Sequence, residues 1–357
     1  MSFSFGERIK ISVFGQSHSE MMGVVIDGLP AGFKIDEEKL SAFMARRAPG
    51  RDGFSTPRKE KDEVNFVSGT VDGRTCGAPL CAVIENTNTR SKDYENLKSI
   101  PRPSHADFAA YMKYGSARDV RGGGEFSGRL TAPLCVAGGI LNQFYEEAGI
   151  FIGSHIASVG NTDDNRFDPV AVTQKDFPVH KAFPVLNDEK GSLMQREILN
   201  AREDGDSVGG VVECAICGLS PAVGDTFFDS LEGRISRVVF SVPAVKGIEF
   251  GSGFFGSRLR GSENNDGFYA ADGTVKTYTN NHGGILGGIS SGMPIIFRAA
   301  FKPTPSIFKT QKSVDLKTLQ NTQLSIKGRH DPCIVRRGAV CIEAAAAVAL
   351  ADLILRR

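Results

Sequence analysis

The sequence predicts a protein of mixed α and β structure, and three kinds of segment carry that reading. Short β-branched and aliphatic runs at residues 9–14, 23–26, 82–85 and 238–242 read as strands. Apolar residues at the helical period mark helices over 36–47, 104–114, 131–147 and 339–355. The 41 glycines fall in short clusters between these segments instead of low-complexity tracts, which predicts tight turns and close backbone approach in an ordered chain.

The helix over 36–47 opens on acidic residues and closes on basic ones, which suits the helix dipole, and its core stripe is Leu40, Phe43 and Met44. Ser104 and Asp107 have the spacing of a capping box for the second helix. The run Val211 to Cys217 reads as a further strand, so its Cys214 and Cys217 point to opposite faces. That argues against zinc or redox use of the lone CxxC, as does the missing second ligand pair. Residues 257–281 are polar and rich in Gly, Asn and Asp, which predicts a long loop and a candidate cover for an active site. A weak echo links Gly23-Val24-Val25, Gly28-Leu29 and a helix with Gly210-Val211-Val212, Gly218-Leu219 and another helix, so duplicated halves compete with chance similarity.

At 357 residues the chain has ample apolar material for one large core or two fused ones; with no clean linker, a single domain over 1–357 is expected. Its 42 Lys and Arg balance 41 Asp and Glu, so no global charge invites nucleic acid or acidic membranes, and anion binding has to be local. The longest apolar stretch, 344–351, is well short of the ~20 residues a bilayer span needs, and no charged-then-apolar leader opens the chain, so a cytoplasmic location is expected. Seven cysteines without framework spacing suit reduced thiols.

Six constellations could carry chemistry. Phe14-Gly15-Gln16-Ser17-His18-Ser19 follows a strand, where a turn presents Ser17 and His18, although a lone histidine also fits an ordinary surface position. Arg47 lies seven residues after Leu40, on the inward face of its helix, where it needs an anionic partner; snorkelling is the competing reading. His105 occupies the first turn of its helix, whose positive end favours a neutral imidazole. The glycine-rich loop 121–131 contains Glu125, Phe126 and Ser127 between Arg121 and Arg129, and offers either a structural turn or an anion pocket. Residues 280–292, including Gly287, precede Lys302-Pro303-Thr304-Pro305-Ser306, a cationic hydroxyl-bearing turn suited to a phosphorylated cofactor. Lys327-Gly328-Arg329-His330-Asp331-Pro332-Cys333 precedes the last helix, with Arg329 and Asp331 as a charge pair.

Taken in order, GQSH, RPSHAD, GGILGGIS and GRHDP resemble chorismate synthase over nearly the whole chain. The resemblance implies reduced flavin mononucleotide (FMN) as cofactor and a β-α-β sandwich in which helices enclose central antiparallel sheets. It also implies a homotetramer. The implied reaction is 1,4-anti elimination of phosphate from 5-enolpyruvylshikimate 3-phosphate to give chorismate, with a reductant needed but no net redox change. By the same resemblance His18 lies near the departing phosphate, His105 beside the flavin, and Asp331 near the flavin N5. Arg47, Ser127, Arg129 and Arg329 match substrate-binding positions. Flavin contacts carry over to Glu125, Phe126, Ser127, Ala244, Gly287, Lys302, Pro303, Thr304, Pro305, Ser306 and Arg329.

Gln16, Ser19, Glu125-Phe126 and Gly53 depart from the family's commoner residues at those places. A non-catalytic flavin-binding electron carrier is the alternative; it would have no use for His18 or Arg47. An RNA-binding module is disfavoured by the neutral charge and by the scarcity of aromatics beside basic residues. No nicotinamide fingerprint is visible, so an external flavin reductase is expected instead of self-reduction with NADPH.

Overall fold

The computed structural model describes residues 3–48, 62–87, 97–326 and 330–355. β1 (Ser4–Phe5), β2 (Lys10–Gly15) and β3 (Met21–Asp27) lead into α1 (Glu37–Arg47). β4 (Asn65–Ser68), the ribbon of β5 (Thr70–Val71) and β6 (Arg74–Thr75), and β7 (Leu80–Glu85) follow, then α2 (Asp107–Tyr114) and α3 (Thr131–Glu147). The chain continues through β8 (Phe151–Val159), β9 (Thr162–Asp163), α4 (Asp188–Glu203), β10 (Gly210–Cys217), α5 (Leu231–Val239) and β11 (Val245–Phe250). Two single turns come next, α6 (Gly253–Gly256) and α7 (Gly261–Asn264), then hairpins β12 (Phe268–Ala271) with β13 (Thr274–Thr277) and β14 (Ile285–Leu286) with β15 (Ile289–Ser290). β16 (Ile295–Phe301), the hairpin of β17 (Gln311–Asp315) and β18 (Gln320–Leu324), and α8 (Val335–Ile354) complete it.

Two five-stranded antiparallel sheets run β1-β2-β3-β7-β4 and β11-β16-β10-β8-β9. Without β1 and β9, each sheet has its strands in the chain order first, second, fourth, third. α1 and α5 leave from the second strand of each set, and α3 and α8 come after it. The glycines of the sequence echo are equivalent too. Gly28 (φ +89) and Gly218 (φ +80) end those second strands, and a Cβ would lie 2.1 Å from the Arg8 carbonyl oxygen in one and 2.0 Å from that of Gly149 in the other. Only glycine fits both the left-handed backbone and the contact.

α3 packs on β2, β3, β7 and β8, and α8 packs on β8 and β10, with the two helices side by side. Buried positions number 13 of the 17 in α3 and 16 of the 20 in α8, so both are enclosed on nearly every face. The mixed class is as the sequence predicts, and the antiparallel sheets and β-α-β sandwich are as the resemblance implies, with the middle layer between the two sheets formed by α3 and α8. Their Ala and Gly content is the reason, because small side chains let backbones approach; a Cβ on Gly138 would come within 2.4 Å of the Ala344 Cα.

Asp36 caps α1 by accepting from the Lys39 amide at 2.9 Å, and Leu40, Met44 and Arg47 form its buried stripe. Cys214 faces the main core while Cys217 faces a smaller cluster with Phe167, Val172 and Phe177, on opposite sides of β10. Three local expectations are corrected. Residues 238–242 are not a strand but the end of α5 and the turn after it, because Leu231, Ile235, Val238 and Val239 lie on one helical face and are buried. Residues 257–281 contain α7 and the β12–β13 hairpin instead of one long loop. Ser104 caps nothing: it sits at φ +59, and α2 starts from Ala106 without a side-chain cap. No helix among the described residues is long and apolar enough to cross a membrane.

Candidate active site

A cavity of about 630 Å³ opens where the start of α3, the start of α8, the end of α1 and the segments around 241–246 and 301–306 converge. Its lining includes six cations, Arg47, Arg102, Arg129, Lys246, Lys302 and Arg337, against two acids, Glu125 and Asp331. In a chain of balanced charge, this is the local concentration of positive potential that anion binding requires.

The deepest element is a buried carboxylate shared by two arginines. Arg47 is 0% exposed, its Nη1 donates to Asp62 Oδ2, and Arg129 Nη1 donates to Asp62 Oδ1. Burial alone would lower the Arg47 pKa and raise that of Asp62. Their mutual charges reverse both effects: Arg47 is held above the ordinary arginine value, and Asp62 below the usual carboxylate range with Arg129 helping. Arg47 Nε donates to Thr131 Oγ1 at 3.1 Å, Arg129 Nε donates to Asn86 Oδ1 at 3.2 Å, and Arg337 Nε donates to the Arg47 carbonyl at 2.9 Å. Arg47 Nη2 has no hydrogen-bond partner among the described residues. One buried donor is therefore available to a ligand, and the three ionised groups sum to one net positive charge. The inward reading of Arg47 holds over snorkelling, and its anionic partner is Asp62, which lies 15 residues away.

His105 forms a second network. Its Nδ1 lies 2.7 Å from Asp107 Oδ1, and Arg102 grips the same carboxylate through Nε at 2.7 Å and Nη2 at 2.8 Å. Burial lowers the His105 pKa and nearby Arg102 and Lys302 add to this, outweighing Asp107, so the imidazole is neutral near pH 7. Neutrality was expected from a helix end; burial and cationic neighbours are its causes. Lys302 Nζ donates to the Ser104 hydroxyl at 3.0 Å, and its pKa is lowered by burial and by Lys246.

The glycine-rich loop turns through three left-handed residues, Gly122, Gly123 and Gly124. It brings Glu125, Phe126, Ser127 and Arg129 to the cavity, whereas Arg121 points outward to Asp119. A Cβ on Gly122 would lie 2.8 Å from His18 Nε2 and 2.4 Å from Ser17 Oγ, so the bare backbone is what admits that histidine. His18 is buried behind Gly122 and does not line the cavity itself. Ala244, a non-glycine residue at φ +74, lines it, and its carbonyl accepts from the Lys302 amide at 3.0 Å.

Of the positions assigned to flavin or substrate by resemblance, His105, Asp331, Arg47, Arg129, Glu125, Phe126, Ser127, Ala244, Lys302, Thr304, Pro305 and Ser306 come together around this cavity. Gly287 does not, because it forms the turn between β14 and β15. Pro303 packs towards Gly209 instead. Arg329, like Gly53, lies outside the described residues, and Asp331 accepts from Arg337 Nη1 at 2.7 Å. None of the described residues lining the cavity comes from 257–281. Sequence reasoning missed Asp62, Asn86, Lys246 and Arg337. Only Arg337 had a signal, as a second cation one helical turn beyond the GRHDP segment.

Residues 9–355 match the family model for chorismate synthase. Among similar proteins, a chorismate synthase from Dehalococcoides mccartyi is 45% identical over 356 residues, covering 100% of this chain and 97% of that one. One from Korarchaeum cryptofilum is 41% identical over 352 residues, covering 99% and 97% respectively. A crystal structure of a chorismate synthase superposes with a TM-score of 0.77 at 26% identity, covering 98% of this chain and 92% of the other. With motifs, fold and site in register along its length, the chain belongs to the chorismate synthase family.

Proposed function

We propose that this chain, with reduced FMN bound, eliminates phosphate from 5-enolpyruvylshikimate 3-phosphate in the 1,4-anti sense to give chorismate. The observation that carries the reading is the cationic cavity with Arg47 fully buried at its base. A substrate with two carboxylates and one phosphate, beside an anionic flavin, needs such a site, and arginine forks supply charge-assisted hydrogen bonds to each. Two buried lining atoms without partners among the described residues, Arg47 Nη2 and Thr304 Oγ1, fit oxygen-rich ligands of this kind. When bound, reduced FMN supplies an electron transiently to the substrate and recovers it.

In this reading Arg47, Arg129 and Arg329 hold the substrate anions, and Ser127 stands beside them. Lys302, Thr304 and Ser306 hold the flavin phosphate, and Glu125, Phe126, Ala244 and Pro305 surround the rest of the cofactor. His18, reached past Gly122, protonates or stabilises the departing phosphate. His105, kept neutral, tunes the flavin's protonation, and Asp331, oriented by Arg337, assists removal of the ring proton. The chain works as one folding unit over 1–357, as a homotetramer in the cytoplasm, and an external flavin reductase supplies its reduced cofactor.

The electron-carrier alternative is not favoured, because a carrier has no use for the buried Arg47–Asp62–Arg129 cluster. The test is an anaerobic assay of phosphate release with chemically reduced FMN. Chorismate is expected with reduced FMN and none with the oxidised form; sustained turnover with oxidised flavin and no reductant would remove the electron-donor role.

A further inference from the structure

Two thiols meet beneath the cavity. Cys135 on α3 and Cys341 on α8 place their sulfurs 3.9 Å apart, and both are buried, at 0% and 3% exposure. One helical turn further along both helices, the Gly138–Ala344 contact holds the two backbones in close approach. A disulfide needs that closeness, with Cα atoms roughly 4.4–6.8 Å apart. Cys341 lines the cavity and Cys135 does not.

We infer that Cys135 and Cys341 are an oxidisable pair, reached through the cavity, in which Cys341 is attacked first and Cys135 closes the disulfide. The geometry sets the order. The Cys135 thiol donates its hydrogen bond to the Cys341 sulfur, while the Cys341 thiol donates to the Arg337 carbonyl at 3.1 Å. That hydrogen bond from Cys135, with the charge of Arg47, draws the Cys341 thiol down to about 7 against the effect of burial, whereas burial pushes Cys135 well up.

With hydrogen peroxide as oxidant, the Cys341 thiolate attacks one peroxide oxygen, the O–O bond breaks, and sulfenic acid and water result after protonation. The Cys135 sulfur then attacks the sulfenic sulfur, an S–S bond forms, and a second water leaves. The two thiols lose two electrons and two protons, which reduce one peroxide to two waters. Closure draws the sulfurs from 3.9 Å to about 2 Å. Arg47 is tied to both helices, by its own Nε to Thr131 and by Arg337 to its carbonyl, so the movement reaches the substrate arginine.

The experiment treats the purified full chain with stoichiometric hydrogen peroxide, then alkylates and maps it by mass spectrometry. A dithiothreitol-reversible Cys135–Cys341 cross-link is expected, and in Cys135→Ala the reaction should stop at a sulfenic acid on Cys341 that dimedone captures. Oxidation confined to the more exposed Cys76 and Cys81, with Cys135 and Cys341 still free thiols, would overturn the inference. The activity arm rests on the proposed elimination: the cross-linked protein should lose at least tenfold in turnover and regain it on reduction. The mapping does not depend on that reaction, so failure of the pair and failure of the functional reading are separable.

Discussion

Replacing Asp62 with asparagine removes the carboxylate that Arg47 and Arg129 share, while keeping its volume. The side chains of Arg47 and Asp62 are both 0% exposed and that of Arg129 only 5%, so water cannot compensate for the loss. The buried cluster would rise from one net positive charge to two, and the new amide NH2 would face a guanidinium donor. Removing one partner from a buried ion pair costs about 3–5 kcal/mol, and the full sharing by two arginines places the expectation in that range. Urea unfolding at pH 7 measures it directly. The sign of the pH dependence is fixed by the lowered Asp62 pKa: its contribution is complete above the unfolded value, near 3.9, and is lost as pH falls through the folded one. The gap between wild type and variant should therefore be full at pH 7 and shrink only below about pH 4. Inorganic phosphate should restore part of the stability to the variant, about 2.7 kcal/mol at a hundredfold excess over its Kd. A loss under about 1 kcal/mol, or one indifferent to phosphate, would refute the buried three-charge cluster.

Arg47→Ala should weaken apparent substrate affinity at least roughly tenfold, the cost of about 1.5–3 kcal/mol for a charge-assisted contact, and unchanged affinity in a steady-state titration would separate Arg47 from the substrate. His18→Ala should bind flavin normally yet turn over about 10²–10⁴-fold more slowly, whereas His105→Ala should also change the pH dependence of bound-flavin absorbance; identical flavin titrations for wild type and His105→Ala would count against the assignment. His155, wholly buried between Asp164 at 3.1 Å and Glu213 at 3.0 Å, has a raised pKa because those carboxylates outweigh burial. Its stabilisation is complete below about pH 6.5 and is lost as pH rises through the folded value, so wild-type thermal stability should decline there relative to His155→Gln; parallel melting curves would refute the pairing.

Much of this could be read from sequence, and the exceptions have physical reasons. α1 falls at its expected place because capping, charge and apolar period agree there, whereas α3 does so on its long apolar run alone, without a side-chain cap or favourable end charges. The run 238–242 misleads because β-branched residues suit strands; its helical period appears only when the window reaches back to Leu231. The β12–β13 hairpin carried a signal in Asp272-Gly273, both at positive φ as a two-residue turn demands, but its polar strands show little alternation. Ser104 and Asp107 match a capping box, yet the Asp107 carboxylate is taken by Arg102, through both its guanidinium and its backbone amide. Asp62 was illegible, since a lone acid gives no sign that its partners lie 15 and 67 residues away.

The duplicated topology explains why the anion site is where it is. α3 and α8 are the equivalent helices of the two halves, and their contacts rise together, Cys135 with Cys341 and Gly138 with Ala344, so they run parallel. Parallel packing puts both N-termini at one end of the middle layer. Thr131 opens α3 and Ile334 precedes α8, and both line the cavity. An antiparallel pair would set a positive helix end against a negative one and cancel most of the field, whereas here two positive ends add. The six cations then reinforce a potential that the backbone has already established. Because neither half contains both helix ends, the site exists only where the halves join. That is why it draws its charges from residues as distant as Arg47 and Arg337, and why no single segment of the sequence displays it.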